Sequence, residues 1–335
     1  MTPSTPSPAS TELSRAAGDP HPAAPEAAGE RELGGAGPAG GWVTASPPKG
    51  VEIAQAIVRF PVLVARHKDL ILTGVQRELR AQFTGTVLGF FWPLLQPVFL
   101  FLVFYFIFTK LLGAKLPDLP PGQEAAMGVY MFVGILMWAA FGESLTLGCN
   151  VIVDNGNLIK KLAFPAEVLP LNIVLVRLTT MMFGVSIFLL AAILTPVWVA
   201  PNPLVLLWIP VLVLLQALFT YGVTLFIATL QVFLRDTLQT VGILTMVWMF
   251  GTPVFWPAVP EAMPSIEPYL PYLRWNPMYE LVQAWRLVLL SSEPAGAYDS
   301  TIVRSLAIFL PWALGSYAIG YAFFLLAKRR FADEV

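Results

Sequence analysis

The chain has 335 residues, of which 56% are hydrophobic and 12% charged, with a formal net charge of -1 and a mean hydropathy of +0.69. That balance is far too apolar for an ordinary globular domain and marks an integral membrane protein, while the near-neutral charge gives no global attraction to nucleic acid. A single cysteine, Cys149, excludes an intrachain disulfide and any site built from several thiolates; it reads as a small apolar residue near a helix end.

Residues 1–50 hold nine of the thirty prolines and eight of the twenty-five glycines, with almost no large apolar side chain. Such a segment cannot bury enough surface to offset its ordering entropy, so a disordered cytoplasmic tail is expected over 1–55. No charged-then-apolar signal sequence opens the chain, and the tail is expected to stay attached. A docking segment is the alternative reading.

The region 56–87 comes next. Here Leu72, Val75, Leu79 and Phe83 fall on one helical face while Arg77 and Arg80 point elsewhere, the pattern of an amphipathic helix lying in the membrane interface. Periodicity alone allows either a plain anchor or a moving part, and direct continuity with the first apolar span favours the second.

Residues 88–335 form the membrane domain. A helical crossing takes roughly 20 apolar residues, and six segments qualify: 88–112, 127–147, 169–194, 204–232, 238–256 and 302–327. Cytoplasmic flanks retain Lys and Arg. Arg66, Lys68, Arg77 and Arg80 precede the first span, Lys160 and Lys161 lie between the second and third, Arg235 follows the fourth, and Lys328, Arg329 and Arg330 follow the sixth. All these flanks fall on one side, which makes both termini cytoplasmic. Between the fifth and sixth spans, Pro257, Pro260, Pro264, Pro268, Pro271 and Pro277 punctuate an apolar sequence, and 277–290 is too short to cross. Short re-entrant or interfacial helices on the outer side are expected, tolerable only where protein or water satisfies their exposed backbone; an ordinary outer loop is the alternative.

Reactive constellations are missing from this sequence. His21 lies in the tail and His67 in a basic cytoplasmic run, so no histidine stands in a span. Gly142-Glu143-Ser144 begins like a nucleophile elbow, but Thr146 replaces the closing glycine. No G-x-x-x-x-G-K-[ST] is present to hold nucleotide phosphates; if ATP drives this protein, another chain binds it. Ionisable residues at depth are costly and face protein or water. Glu143 and Arg177 therefore read as a buried charge pair, with snorkelling and contact with an anionic substrate group as alternatives. The loop at 155–170 is compact, and Leu158, Ile159 and Leu162 would give a helix there a small docking surface; the alternative is that Lys160 and Lys161 are topology-setting charges alone. Trp92, Phe99 and Phe106 repeat every seven residues and share a face of the first span. Flat rings suit the C-H faces of sliding sugars, and lipid contact explains most aromatics equally well.

In order along the chain, Arg77-Glu78-Leu79-Arg80, Phe83, Thr86-Val87-Leu88-Gly89, Trp92-Pro93, Gln96-Pro97, the run Asn157, Leu158, Ile159, Lys160, Lys161 with Phe164-Pro165 and Leu169-Pro170, Arg235-Asp236, and Asn276-Pro277 with Arg286 form a pattern. Together they resemble the membrane-spanning permease of type-2 ABC exporters for lipid-linked polysaccharide, such as O-antigen, teichoic acid or capsule, over residues 57–330. The resemblance implies an all-α integral membrane protein of the bacterial inner membrane, with six transmembrane helices, an N-terminal amphipathic interfacial helix and short re-entrant helices before the last span. It implies no catalysis and no cofactor in this chain. Two copies would form the channel among membrane lipids, and two cytoplasmic ABC ATPase subunits would bind ATP and Mg. The cargo would be an undecaprenyl-diphosphate-linked glycan, and no nucleic acid is involved. By the same resemblance, Arg77, Glu78, Arg80 and Phe83 belong to a gate helix, and Asn157 to Lys161 with Phe164 and Pro165 to an ATPase-coupling helix. Trp92, Gln96, Phe99 and Phe106 belong to the substrate path, and Asn276, Pro277, Glu280 and Arg286 to the outer re-entrant region. Gln82 stands where the family often has a basic residue, Phe83 where it often has tyrosine, and Arg177 and the long tail are unusual. A drug or small-lipid exporter is the nearest rival; a membrane-embedded transferase or a scaffold are rivals from other classes.

Overall fold

The computed structural model describes residues 50–82, 85, 92–113, 126–161, 165–194, 200–258, 263–290 and 299–334, and every regular element among them is helical. Phe83, the 86–89 motif and Phe164 lie outside the described residues, as do the side chains of Ile159, Lys160 and Lys161.

Order begins earlier than composition suggests. Helix α1 (Gly50–Arg66) starts inside the stretch expected to be unstructured through 55, with Glu52 in its first turn and Arg66 in its last, each favourable to the helix dipole. Its anchor is Phe60, buried against other aromatic rings, which composition could not weigh. A break at His67 leads into α2 (Lys68–Ala81). The less exposed stripe of α2 contains Ile71, Gly74, Val75, Glu78 and Leu79, while Leu72 is exposed. It is rotated by about one position from the expected face, because Gly74 lies directly against Asn172 and draws Ile71 inward.

Helix α3 (Trp92–Phe104) runs into a π-helical stretch, Tyr105–Leu111, closed by the Leu112 amide donating to the Ile107 carbonyl at 2.8 Å. A methyl group at Gly128 would lie 2.8 Å from the Tyr105 Cα, so only glycine lets α4 (Ala126–Asp154) approach this stretch so closely. Next come α5 (Gly156–Lys161), α6 (Val168–Leu194), the 3-10 turn Val205–Trp208, α7 (Ile209–Phe233) and α8 (Thr237–Phe250). A 3-10 turn at Pro264–Tyr269 precedes α9 (Leu270–Leu273), α10 (Pro277–Leu290) and α11 (Asp299–Ala327), and the 3-10 turn Lys328–Arg330 leads into α12 (Phe331–Glu334).

Among the described residues, Met127–Asp154, Val168–Leu194, Val205–Phe233 and Ser300–Arg330 are long and apolar enough to cross a membrane, whereas Leu95–Leu111 and Thr237–Phe250 are shorter apolar helices. The expected fifth span ends early. Pro253 disfavours helix at the residue before it, and the chain turns over residues 251–254.

Helix α7 is the centre of the fold, packed on α4, α6 and α11. At its crossing with α11, Gly222 and Gly320 touch backbone to backbone, and a methyl at either would collide with the other helix. One level away, Phe141 stacks on Phe219 at 5.5 Å and meets Trp248 edge-on at 5.2 Å, joining α4, α7 and α8.

Candidate functional site

The candidate residues fall at three heights. At the α10 end, Asn276 caps its helix, its side-chain oxygen accepting from the Met278 amide at 3.1 Å, with Pro277 following at the first turn, where a missing N-H costs nothing. The same amide clamps the end of α8: its oxygen accepts from the Trp248 indole at 2.8 Å, and its nitrogen donates to the Thr252 hydroxyl at 2.8 Å. Arg286, one face further along α10, does the same from the other side. Its guanidinium donates to the carbonyls of Pro253 at 2.6 Å, Val254 at 2.9 Å and Tyr130 at 3.2 Å, and lies 3.5 Å from the centre of the Tyr130 ring. Gly134 makes room, since a methyl there would strike the guanidinium. Burial lowers the Arg286 pKa to about 10, still charged at neutral pH. Asn276 and Arg286 thus fasten α10 to the turn that ends α8. Fourteen residues rise only about 21 Å, so α10 is too short to cross.

Glu280 is buried beside a cavity of about 400 Å³ lined also by Arg274, Gln283, Arg304 and Ser305. Burial raises its carboxyl pKa above the ordinary value of 4.5, against the opposing effects of a hydrogen bond to Ser305 and of Arg274 and Arg304 nearby.

In the middle of the bundle, Arg177 of α6 donates to the Glu143 carboxylate of α4 at 2.8 Å. The pair is not enclosed: Arg177 is 13% exposed but Glu143 is 47% exposed, because the α4 face carrying Glu143, Thr146 and Leu147 is uncovered in the single chain. Trp92, Gln96 and Phe99 on α3 and Phe106 on its π-helical continuation all lie exposed. They share an uncovered face, and α8 likewise leaves Ile243, Leu244, Met246, Val247 and Phe250 uncovered.

At the opposite end, Arg77 and Arg80 are exposed on α2 and Glu78 is half-buried. In α5, Asn157 is exposed and Leu158 is half-buried, packed against the core. Pro165 begins the turn into α6, its carbonyl accepting from the Val168 amide at 2.9 Å.

Sequence reasoning missed two nodes here. Gln231 of α7 donates to the Asn150 side chain at 2.9 Å and accepts from the Leu238 amide at 3.1 Å, tying the ends of α4 and α8 together. Glu167 receives Lys328 at 2.7 Å. The signal for Glu167 was present, as the carboxylate standing between Pro165 and Pro170 in an otherwise apolar stretch, but nothing local identified its partner 161 residues away. Among the described residues, no three His, Cys, Asp or Glu side chains gather to hold a metal ion. What the arrangement can do is hold helices in register and let them move together.

Residues 69–290 match the family described as ABC-2 type transporter. The chain is 31% identical over 260 residues to the O-antigen export system permease protein RfbA of Myxococcus xanthus, covering 78% of this chain and 95% of that protein. It is 25% identical over 267 residues to a protein of the same name from Klebsiella pneumoniae, covering 79% and 94%.

Proposed function

The chain belongs to the ABC-2 type transporter family, a multi-pass protein of the bacterial inner membrane, and from that premise we propose that it is the permease of an exporter that moves undecaprenyl-diphosphate-linked polysaccharide outward, driven by ATP hydrolysis in a separate subunit. The observation that carries this reading is the near end-to-end similarity to O-antigen export permeases, which leaves only 5% of the Myxococcus protein unmatched. In this reading the chain crosses six times, α3 with its π-helical extension being the first crossing and α8 with the apolar residues after it to 258 the fifth, so that both termini are cytoplasmic, in keeping with the basic flanks.

In this reading two copies form the channel and two ATPase subunits dock beneath, binding ATP and Mg. A charged glycan and diphosphate cannot enter hydrocarbon, so they need a wet path between helices. The uncovered face of α3 suits that path: Gln96 supplies a polar contact among Trp92, Phe99 and Phe106, whose rings offer sugars a surface without fixed hydrogen bonds. The cytoplasmic helix α5 takes the stroke of the ATPase and α2 gates the entrance, a gating role rather than a chemical one. The clamps of Asn276 and Arg286 make α10 follow the outer end of α8.

Deleting the gene should leave lipid-linked glycan stranded on the cytoplasmic face of the inner membrane, and deleting the ATPase should do the same. Normal surface glycan in both strains would overturn the reading. Loss of resistance to an extruded drug, with surface glycan intact, would replace it with the small-molecule exporter.

A further inference from the structure

Glu167, in the turn from α5 into α6, is held twice. Lys328, just past the end of α11, donates to its buried carboxylate at 2.7 Å, and the Tyr221 hydroxyl of α7 donates to its backbone carbonyl at 3.0 Å. The same Tyr221 ring stacks on Phe60 of α1 at 5.1 Å, and the Tyr317 hydroxyl of α11 donates to the Ile57 carbonyl of α1 at 2.8 Å. Three residues beyond Lys328, Phe331 is buried against Phe324 at 5.5 Å, and α12 packs on α5 itself. A six-residue helix such as α5 has too few internal hydrogen bonds to hold its own position. Among the described residues it rests on the C-terminal helix α12, which follows Lys328 directly.

We propose that Glu167 and Lys328 are positioning residues for energy coupling: they tie α5 to α11, so that force applied to α5 moves α1, α7 and α11 as one body instead of bending the loop. Lys328 then has a mechanical role beyond that of a topology-setting charge, and the C-terminal residues 328–334 belong to the coupling apparatus. The inference rests on the exporter reading above.

The two single variants differ in severity. Glu167→Gln preserves shape and leaves unpaired only Lys328, which is 37% exposed, whereas Lys328→Met strands a carboxylate that is 6% exposed. The test uses the full chain with its ATPase subunit in sealed membrane vesicles, measuring ATP hydrolysis and glycan transfer together. With Glu167→Gln, hydrolysis should persist while glycan moved per ATP falls about tenfold, the size of an ordinary coupling energy. The double exchange, Glu167→Lys with Lys328→Glu, should recover a substantial part. Hydrogen exchange over residues 156–161 should accelerate in Glu167→Gln and recover in the double variant, a readout that does not require transport. Unchanged transport per ATP and unchanged exchange in Glu167→Gln would overturn the proposal, as would equal loss of hydrolysis and transport with no recovery in the double variant. A wild-type complex that hydrolyses ATP and moves no glycan would instead overturn the exporter reading, leaving the exchange measurement to decide whether Glu167 fixes α5.

Discussion

Arg286 gathers several strong interactions in one side chain. Three carbonyls and one ring surround its guanidinium, hydrogen bonds to a charged donor are worth roughly 1.5–3 kcal/mol each, and a buried acceptor left unpaired costs about 1–3 kcal/mol. Arg286→Met should therefore destabilise the protein by several kcal/mol, read as a fall in melting temperature of the detergent-purified chain. Arg286→Lys should rescue little, since a compact ammonium cannot reproduce the planar fork that spans Tyr130, Pro253 and Val254. Glu280 gives a pH-dependent counterpart. Burial raises its folded-state pKa above 4.5, so the folded form favours the proton more than the unfolded chain does. Its contribution to stability is then fully present below the unfolded value and is lost as pH rises through the folded one. Glu280→Gln should flatten that part of the curve of melting temperature against pH; an unchanged slope would show that another group carries it.

At the scale of the helix, the α2 surface separates what periodicity can and cannot read. The heptad-like spacing of Leu72, Val75 and Leu79 locates an amphipathic helix correctly, yet the face on protein is centred on Ile71 and Gly74. A glycine has no hydropathy to register, and its contact with Asn172 depends on a helix almost a hundred residues away. The same limit applies to α10. Asn276-Pro277 and Arg286 were legible as an unusual outer segment, but not as two clamps on the end of α8, because their partners are backbone carbonyls and an indole without local signature. Four of the six expected spans correspond to helices long and apolar enough to cross, because long apolar runs declare themselves in any context, and the fifth helix is shorter than its apolar run because Trp256 and its neighbours remain apolar after the helix has turned. If α2 gates the entrance, it must move against α6. A Gly74→Cys, Asn172→Cys pair in a Cys149→Ala background places the two sulfurs in contact range. Oxidation should lock α2 to α6 and stop glycan export, with recovery on reduction; full export from the cross-linked protein would make α2 a fixed anchor.

Among the described residues, the face of α8 is a surface that a single chain cannot close. Helix α8 has fourteen residues, a rise of about 21 Å at 1.5 Å per residue, against a hydrocarbon core of about 30 Å. A helix that short, facing lipid alone, would expose the polar backbone of its flanking turns, which hydrocarbon cannot satisfy. Arg286 and Asn276 relieve part of this from the protein side by binding the turn at 251–254. Large apolar side chains nevertheless remain exposed along α8 from Ile243 to Phe250, beside the uncovered Glu143 of α4. Protein cover on that face resolves the mismatch, and a second copy of the chain would provide it symmetrically. The α6 residue Ile193 is also exposed, but it belongs to a helix of 27 residues that needs no such cover. Single cysteines at Ile243, Met246, Val247 or Phe250 in a Cys149→Ala background should therefore give a dimer-sized product on oxidation in native membranes from at least one α8 position. A cysteine at Ile193 should stay monomeric. Cross-linking confined to Ile193, or absent from all four α8 positions, would move the interface off α8 and leave the short helix to be covered by something other than its own copy.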